Sequence, residues 1–123
     1  MTDAAEKAAA ISALERLNKW GGPRLVRDMT AIFSEEMPRR LAEVKNAFQR
    51  NDSDAAGRAS HSIKSSAGQL GAVALAGVAA EMERLVESSG MEQARELVGE
   101  MEKQLEQFLA WLAQNAGTPA GDQ

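Results

Sequence analysis

The sequence predicts an all-α fold, an up-and-down four-helix bundle with a short N-terminal helix covering one end. Three observations carry that prediction. Apolar residues recur at steps of three and four over nearly the whole chain, and no stretch alternates with the period of two that a half-buried strand needs. The composition is dominated by Ala, Leu, Glu, Gln, Arg and Met, all helix formers, and long amphipathic helices with short connections pack as bundles.

The first helix begins near Asp3 and carries a short stripe of Ile11, Leu14 and Leu17 up to the stop signal Gly21-Gly22. Pro23 suits the first turn of a second helix, where its missing N–H is no loss, and Leu25, Met29, Phe33, Met37, Leu41, Val44 and Phe48 continue one face. Pro38 lies inside that stripe and deletes the hydrogen bond to the Ser34 carbonyl, so a kink, or a junction of two helices, is expected there. Asn51-Asp52-Ser53 is a turn with ready N-cap oxygens for a third helix, whose stripe Ala56, Ala59, Ile63, Ala67 and Leu70 is stopped by Gly71. Leu75, Val78, Met82 and Leu85 mark a fourth helix ending at Ser88-Ser89-Gly90, and Ala94, Leu97, Met101, Leu105, Phe108 and Leu112 mark a fifth. The tail after Asn115, rich in Gly, Pro and polar residues, is expected to be disordered. The division expected is a partly helical segment 1–10, a bundle domain 11–115 and a tail 116–123.

A chain of 123 residues is expected to form one domain, with no space for a second, ATP-binding or catalytic one. A formal charge of -4 and a pI near 5.0 argue against nucleic acid as a partner, because neutralising phosphates takes clustered Lys and Arg. Without cysteine and with a single histidine, the chain offers neither a thiolate nor a multi-histidine metal site, so neither a metal nor a cofactor is expected. Phosphate-loop, H-E-x-x-H, G-x-S-x-G and dinucleotide motifs are all missing. Met1 to Ala10 lacks the apolar core of a signal peptide. The uncharged run Ser65 to Ala80 is broken by Gly68, Gln69, Gly71 and Gly77 and falls short of the ~20 apolar residues that span a bilayer. The expectation is a soluble, cytoplasmic, monomeric protein with no membrane partner.

One residue can carry chemistry. A lone histidine in a helical bundle is ordinarily a solvated surface residue or a hydrogen-bonded core residue, and the neighbours of His61 decide otherwise. At about 100° per residue the stripe from Ala56 to Leu70 must face the core, which points His61 outward. Asp54, Gly57, Lys64, Ser65 and Gly68 share its arc, so the imidazole stands on a bare helix face. Glycine inside a helix costs ~1 kcal/mol relative to alanine. Two of them beside an exposed histidine point to the close approach of another protein; tight packing of helices is the alternative. Lys64, three residues on, shares the surface of His61 and can reach a phosphoryl group on the ring, although a solvated lysine is the ordinary reading. Histidine suits phosphoryl transport because its unperturbed pKa of ~6.5 leaves a neutral, nucleophilic nitrogen available near pH 7.

The run His61-Ser62-Ile63-Lys64-Ser65-Ser66-Ala67-Gly68-Gln69-Leu70-Gly71 closely resembles the signature of histidine phosphotransfer (HPt) domains, roughly H-x-[LI]-K-[GS]-[SA]-[SA]-x-x-[LIV]-G. The likeness extends from Trp20-Gly21-Gly22 and Phe33 to Pro38 through Asp52 to the Met82-Glu83 pair. It implies an antiparallel four-helix bundle acting as a stand-alone phosphocarrier in a bacterial two-component phosphorelay. His61 would accept a phosphoryl group from a receiver aspartyl phosphate and pass it to another receiver, of a response regulator or a hybrid sensor kinase. Mg²⁺ and the catalytic carboxylates would come from the receiver. Lys64 matches the family lysine that stabilises the phosphorylated state, and Glu83 resembles a Glu or Gln that hydrogen-bonds the imidazole, a solvated acid among Glu81, Glu83 and Glu87 being the alternative. Two positions depart from the pattern: Ser60 stands where the family often has alanine, and Ser65 where it most often has glycine.

The receiver is expected to dock over the bare arc, against Gly57, Ser65 and Gly68, with apolar anchoring from Ile11 and Leu14 on the first helix. Two other readings compete: a helical module of the same fold that binds receivers or kinases without being phosphorylated, and an unrelated structural bundle.

Overall fold

The structure is a computed structural model that describes residues 4–115. Its elements in chain order are α1 (Ala4–Gln49), α2 (Ser53–Gln69), α3 (Val73–Glu87), the single-turn α4 (Met91–Arg95) and α5 (Val98–Asn115). No strand occurs among the described residues. The expected tail 116–123 and a helix start at Asp3 lie outside the described residues.

α1 is two helical arms. Gly22, at φ 72° and ψ -172°, is its one residue with non-helical dihedrals, and Pro23 starts the second arm. A positive φ costs glycine nothing, and proline is at home in a first turn. The junction of two helices expected as one outcome at Pro38 is corrected: the dihedrals stay helical through it and α1 continues. Ser34 and Pro38 are both exposed, so the carbonyl that proline deprives of a partner can bond to water.

The second arm of α1 packs with α2, α2 with α3, α3 with α5, and α5 closes the ring on α1. Connections of a few residues make consecutive helices antiparallel. The core between them holds Met37, Val44, Ile63, Leu70, Leu75, Met82, Met101 and Phe108, all fully buried, with Phe33 edge-on to Phe108 at 5.5 Å between centroids. The turn into α2 is built as its residues suggest: Asp52 caps the helix by accepting from the Ala55 N–H at 3.0 Å. From α4, Arg95 donates to the Phe48 carbonyl at 3.0 Å and to Asn51 Oδ1 at 3.2 Å, tying that turn to the α3–α5 connection.

Two stripes shift by about one residue from their expected positions, and one expected helix divides. In the first arm Ala10 and Ala13 are buried, Leu14 and Leu17 are half-buried, and Ile11 is 47% exposed. The reason is the approach to Gly71, which has φ 73° and where a Cβ would run into the backbone of Ala9 and Ala10. An arm lying that close needs alanines at the contact. On α3 the buried positions are Leu75, Ala79, Met82 and Val86, so Ala79 and Val86 take the places expected of Val78 and Leu85, which are half-buried beside them. The expected fifth helix divides into α4 and α5, because the Leu97 N–H takes a tight i→i−3 bond to Ala94 at 3.0 Å between them.

Candidate functional site

α2 presents His61 at the middle of the bundle's length, held outward by Ala59, Ser60 and Ile63, which are buried behind it. Ser60 is a buried polar residue immediately before the histidine. Its hydroxyl donates to the Ala56 carbonyl at 2.8 Å and lies 3.1 Å from that of Gly57, so the position tolerates serine in place of alanine without an unsatisfied group.

The His61 side chain is 61% exposed, and its Nδ1 lies 2.9 Å from Oε2 of Glu83 on α3. The other oxygen of the same carboxylate, Oε1, is 2.7 Å from the Lys64 ammonium. Glu83 thus bridges the two residues singled out on α2. Its side chain is 16% exposed, whereas Glu81 pairs with Arg84 and Glu87 is exposed.

The Lys64 hydrogen bond, joined by that of His61 and opposed by burial, holds the Glu83 carboxyl below its ordinary 4.5. An ionised carboxylate only accepts, so Nδ1 must carry the ring proton when the imidazole is neutral. The lone pair is then on Nε2, the outer nitrogen. This arrangement offers an exposed nucleophile, an anion beside the ring and a cation one helical turn away.

A carboxyl whose folded pKa is depressed adds stability above its unfolded pKa and loses it as pH falls through the folded one. Glu83→Gln should therefore narrow the acid-induced loss of stability below about pH 4.5 relative to the unmodified protein. Urea unfolding at pH 7 and at pH 3 measures it, and identical pH profiles would show that the Lys64–Glu83 pair contributes nothing to folding. Asp52, also held low by its bond to the Ala55 N–H, titrates alike in both proteins and cancels.

Of the other expected contact positions, Gly68 and Ser65 are exposed, and nothing lies within 4 Å of where a Gly68 Cβ would be. Gly57 is half-buried at the flank of the arc toward α3, with Val86 at an ordinary contact distance of 3.7 Å from its would-be Cβ. Neither glycine is required by packing. Ile11 is exposed and Leu14 half-buried on the first arm of α1. Arg58 is missed by sequence reasoning, although its i−3 spacing from His61 is the kind of signal that singles out Lys64 at i+3. Among the described residues no group of three or more His, Cys, Asp or Glu side chains is placed to hold a metal, and no helix is long and apolar enough to cross a membrane.

In comparisons with known proteins, the family model for the Hpt domain matches residues 28–111, more than half of the chain, and the match includes His61, Lys64 and Glu83. No curated protein and no solved structure matches. An exposed histidine at the signature position, in an all-helical bundle that the family model covers from the second arm of α1 to α5, places the chain in its family: it belongs to the Hpt domain family.

Proposed function

We propose that the protein carries a phosphoryl group on Nε2 of His61, taking it from a receiver-domain aspartyl phosphate and passing it to another receiver. Domains of this family are phosphocarrier modules of phosphorelays that work with receiver domains, not kinases. The observation that carries the finer reading is the Glu83 bridge, with 2.9 Å to His61 Nδ1 and 2.7 Å to Lys64.

The Nε2 lone pair attacks phosphorus in line; the N–P bond forms as the P–O bond to the receiver aspartate breaks, and that electron pair returns to the carboxylate. The ring keeps its Nδ1 proton and gains positive charge, which the adjacent Glu83 carboxylate stabilises where it develops. Lys64 neutralises the phosphoryl oxygens through a charge-assisted hydrogen bond. Mg²⁺ and the remaining carboxylates belong to the receiver, and transfer in the reverse sense uses the same groups. Most of the work in such a step is positioning and charge neutralisation, which explains why so small a site suffices.

Incubation with ³²P-labelled phospho-receivers tests the reading. The expected result is acid-labile, alkali-stable label on the protein; binding without label would assign it instead as an unphosphorylated interaction module.

Docking over the bare arc gives a second test. Gly68→Gln should leave the melting temperature unchanged or raise it, because glutamine is the better helix former and the position is open. It should slow receiver transfer roughly tenfold, the equivalent of about 1.4 kcal/mol of docking free energy. A folded Gly68→Gln protein transferring at the unmodified rate would move the docking surface elsewhere.

A further inference from the structure

The two flanks of His61 differ. Toward α3 the surface is closed and its charge balanced by Glu83 against Lys64. Toward α1 it opens into a groove of about 430 Å³ lined by Arg40, Arg50 and Arg58, with Glu43 its one acid and Ser62 at the level of the histidine. Arg40 is engaged by Glu36 and Glu43, and Arg50 by Asp52. Arg58 is exposed and forms no ion pair within 4 Å among the described residues, although its charge reaches Asp52 and helps to hold that carboxyl low. At i−3 it stands one turn from the nucleophile, on the groove side.

That placement meets a physical difficulty. The chain carries a formal charge of -4, and a partner that presents an aspartyl phosphate brings further negative charge to the contact. Two like-charged bodies associate slowly unless opposite charges face each other locally, and a charged cleft focuses the field where it matters. We infer that the arginine-lined groove between α1 and α2 receives an acidic segment of the receiver, with Arg58 as the residue that steers and positions it beside His61. The inference rests on the carrier reading above. It adds a partner chemistry, a carboxylate-bearing surface, and a positioning residue outside the His61–Lys64–Glu83 set.

The experiment measures the initial rate of transfer from the phospho-receiver that labels the unmodified protein fastest, at low and at high ionic strength. Arg58→Glu should slow transfer on the order of tenfold at low salt, with the gap closing as salt screens the contact. Arg58→Gln should fall between the two. Lys103→Glu, the same charge change on α5, diagonal to α2 in the bundle, should stay near the unmodified rate at every salt concentration. Phosphorylation of His61 by phosphoramidate, a small donor that needs no docking, should be equal in all four proteins.

Equal low-salt rates for Arg58→Glu and the unmodified protein overturn the groove as the acidic docking site. So does an equal loss in Lys103→Glu, which would make the effect one of net charge. Failure of the unmodified protein to accept label from any phospho-receiver is a different result, and it overturns the carrier reading together with this inference.

Discussion

His61→Gln is expected to abolish phosphoryl acceptance entirely while leaving the bundle folded. An amide nitrogen has its lone pair delocalised into the carbonyl and is no nucleophile, and the described structure offers no second histidine. The fold should barely notice, because the imidazole is 61% exposed and makes one polar contact, to Glu83. Surface replacements of that kind stay within about 0.5 kcal/mol, which for a domain of this size moves the melting temperature by about 3 °C. Circular dichroism on melting and acid-labile labelling by a phospho-receiver read the two halves separately. Retained label in His61→Gln would place the phosphoryl group on another residue. A loss of several kcal/mol would mean that the side chain supports the core, against its exposure.

Gly71→Ala is expected to produce the largest change in stability. The residue sits at φ 73°, and its added Cβ would meet the Ala9 carbonyl and the Ala10 Cα of the first arm. A left-handed conformation costs an L-residue about 1–2 kcal/mol, and overpacking against backbone that cannot rotate away adds about 1–3 kcal/mol. The sum, roughly 2–5 kcal/mol, is a large part of the 5–15 kcal/mol that holds a typical domain. Gly68→Ala provides the contrast three residues earlier. It meets nothing within 4 Å and has an ordinary φ, so it should be neutral or stabilising by up to about 1 kcal/mol. Thermal melts of the two variants side by side check the argument, and a Gly71→Ala midpoint within 2 °C or so of the unmodified protein would remove the close approach as a constraint. Below its lowered midpoint Gly71→Ala should still accept phosphate from phosphoramidate, since the ion pairs of His61, Lys64 and Glu83 join α2 to α3 and involve no residue of the first arm.

Much of the architecture is a local property and was legible in the sequence. Helical periodicity, the Asp52 cap, the stops at Gly22 and Gly71 and the outward direction of His61 depend on residues within a few positions of one another. The spacing that puts Lys64 on the surface of His61 is of the same kind. So is the signature run that led to the Hpt family, which the family model matches over residues 28–111.

What only tertiary structure decided is the choice among neighbours that a period of 3.6 leaves nearly equivalent. Ala10 and Ala13 take the core in place of Ile11 because the arm must lie against Gly71, a residue some 60 positions away in the chain. Pro38 passes without breaking α1 because its face of the helix meets solvent, which no count of apolar residues reveals. Among three glutamates on one helix, Glu83 alone bridges His61 and Lys64, since the packing of α3 on α2 sets which of them points across; Glu81 turns instead to Arg84. The arginine groove likewise exists only once α1 lies beside α2. Sequence by itself determined most of the helices and the outward histidine, because hydrogen-bonded helices repeat every few residues. The partner of that histidine was decided by helix packing, because the contact that selects it joins residues distant in the chain.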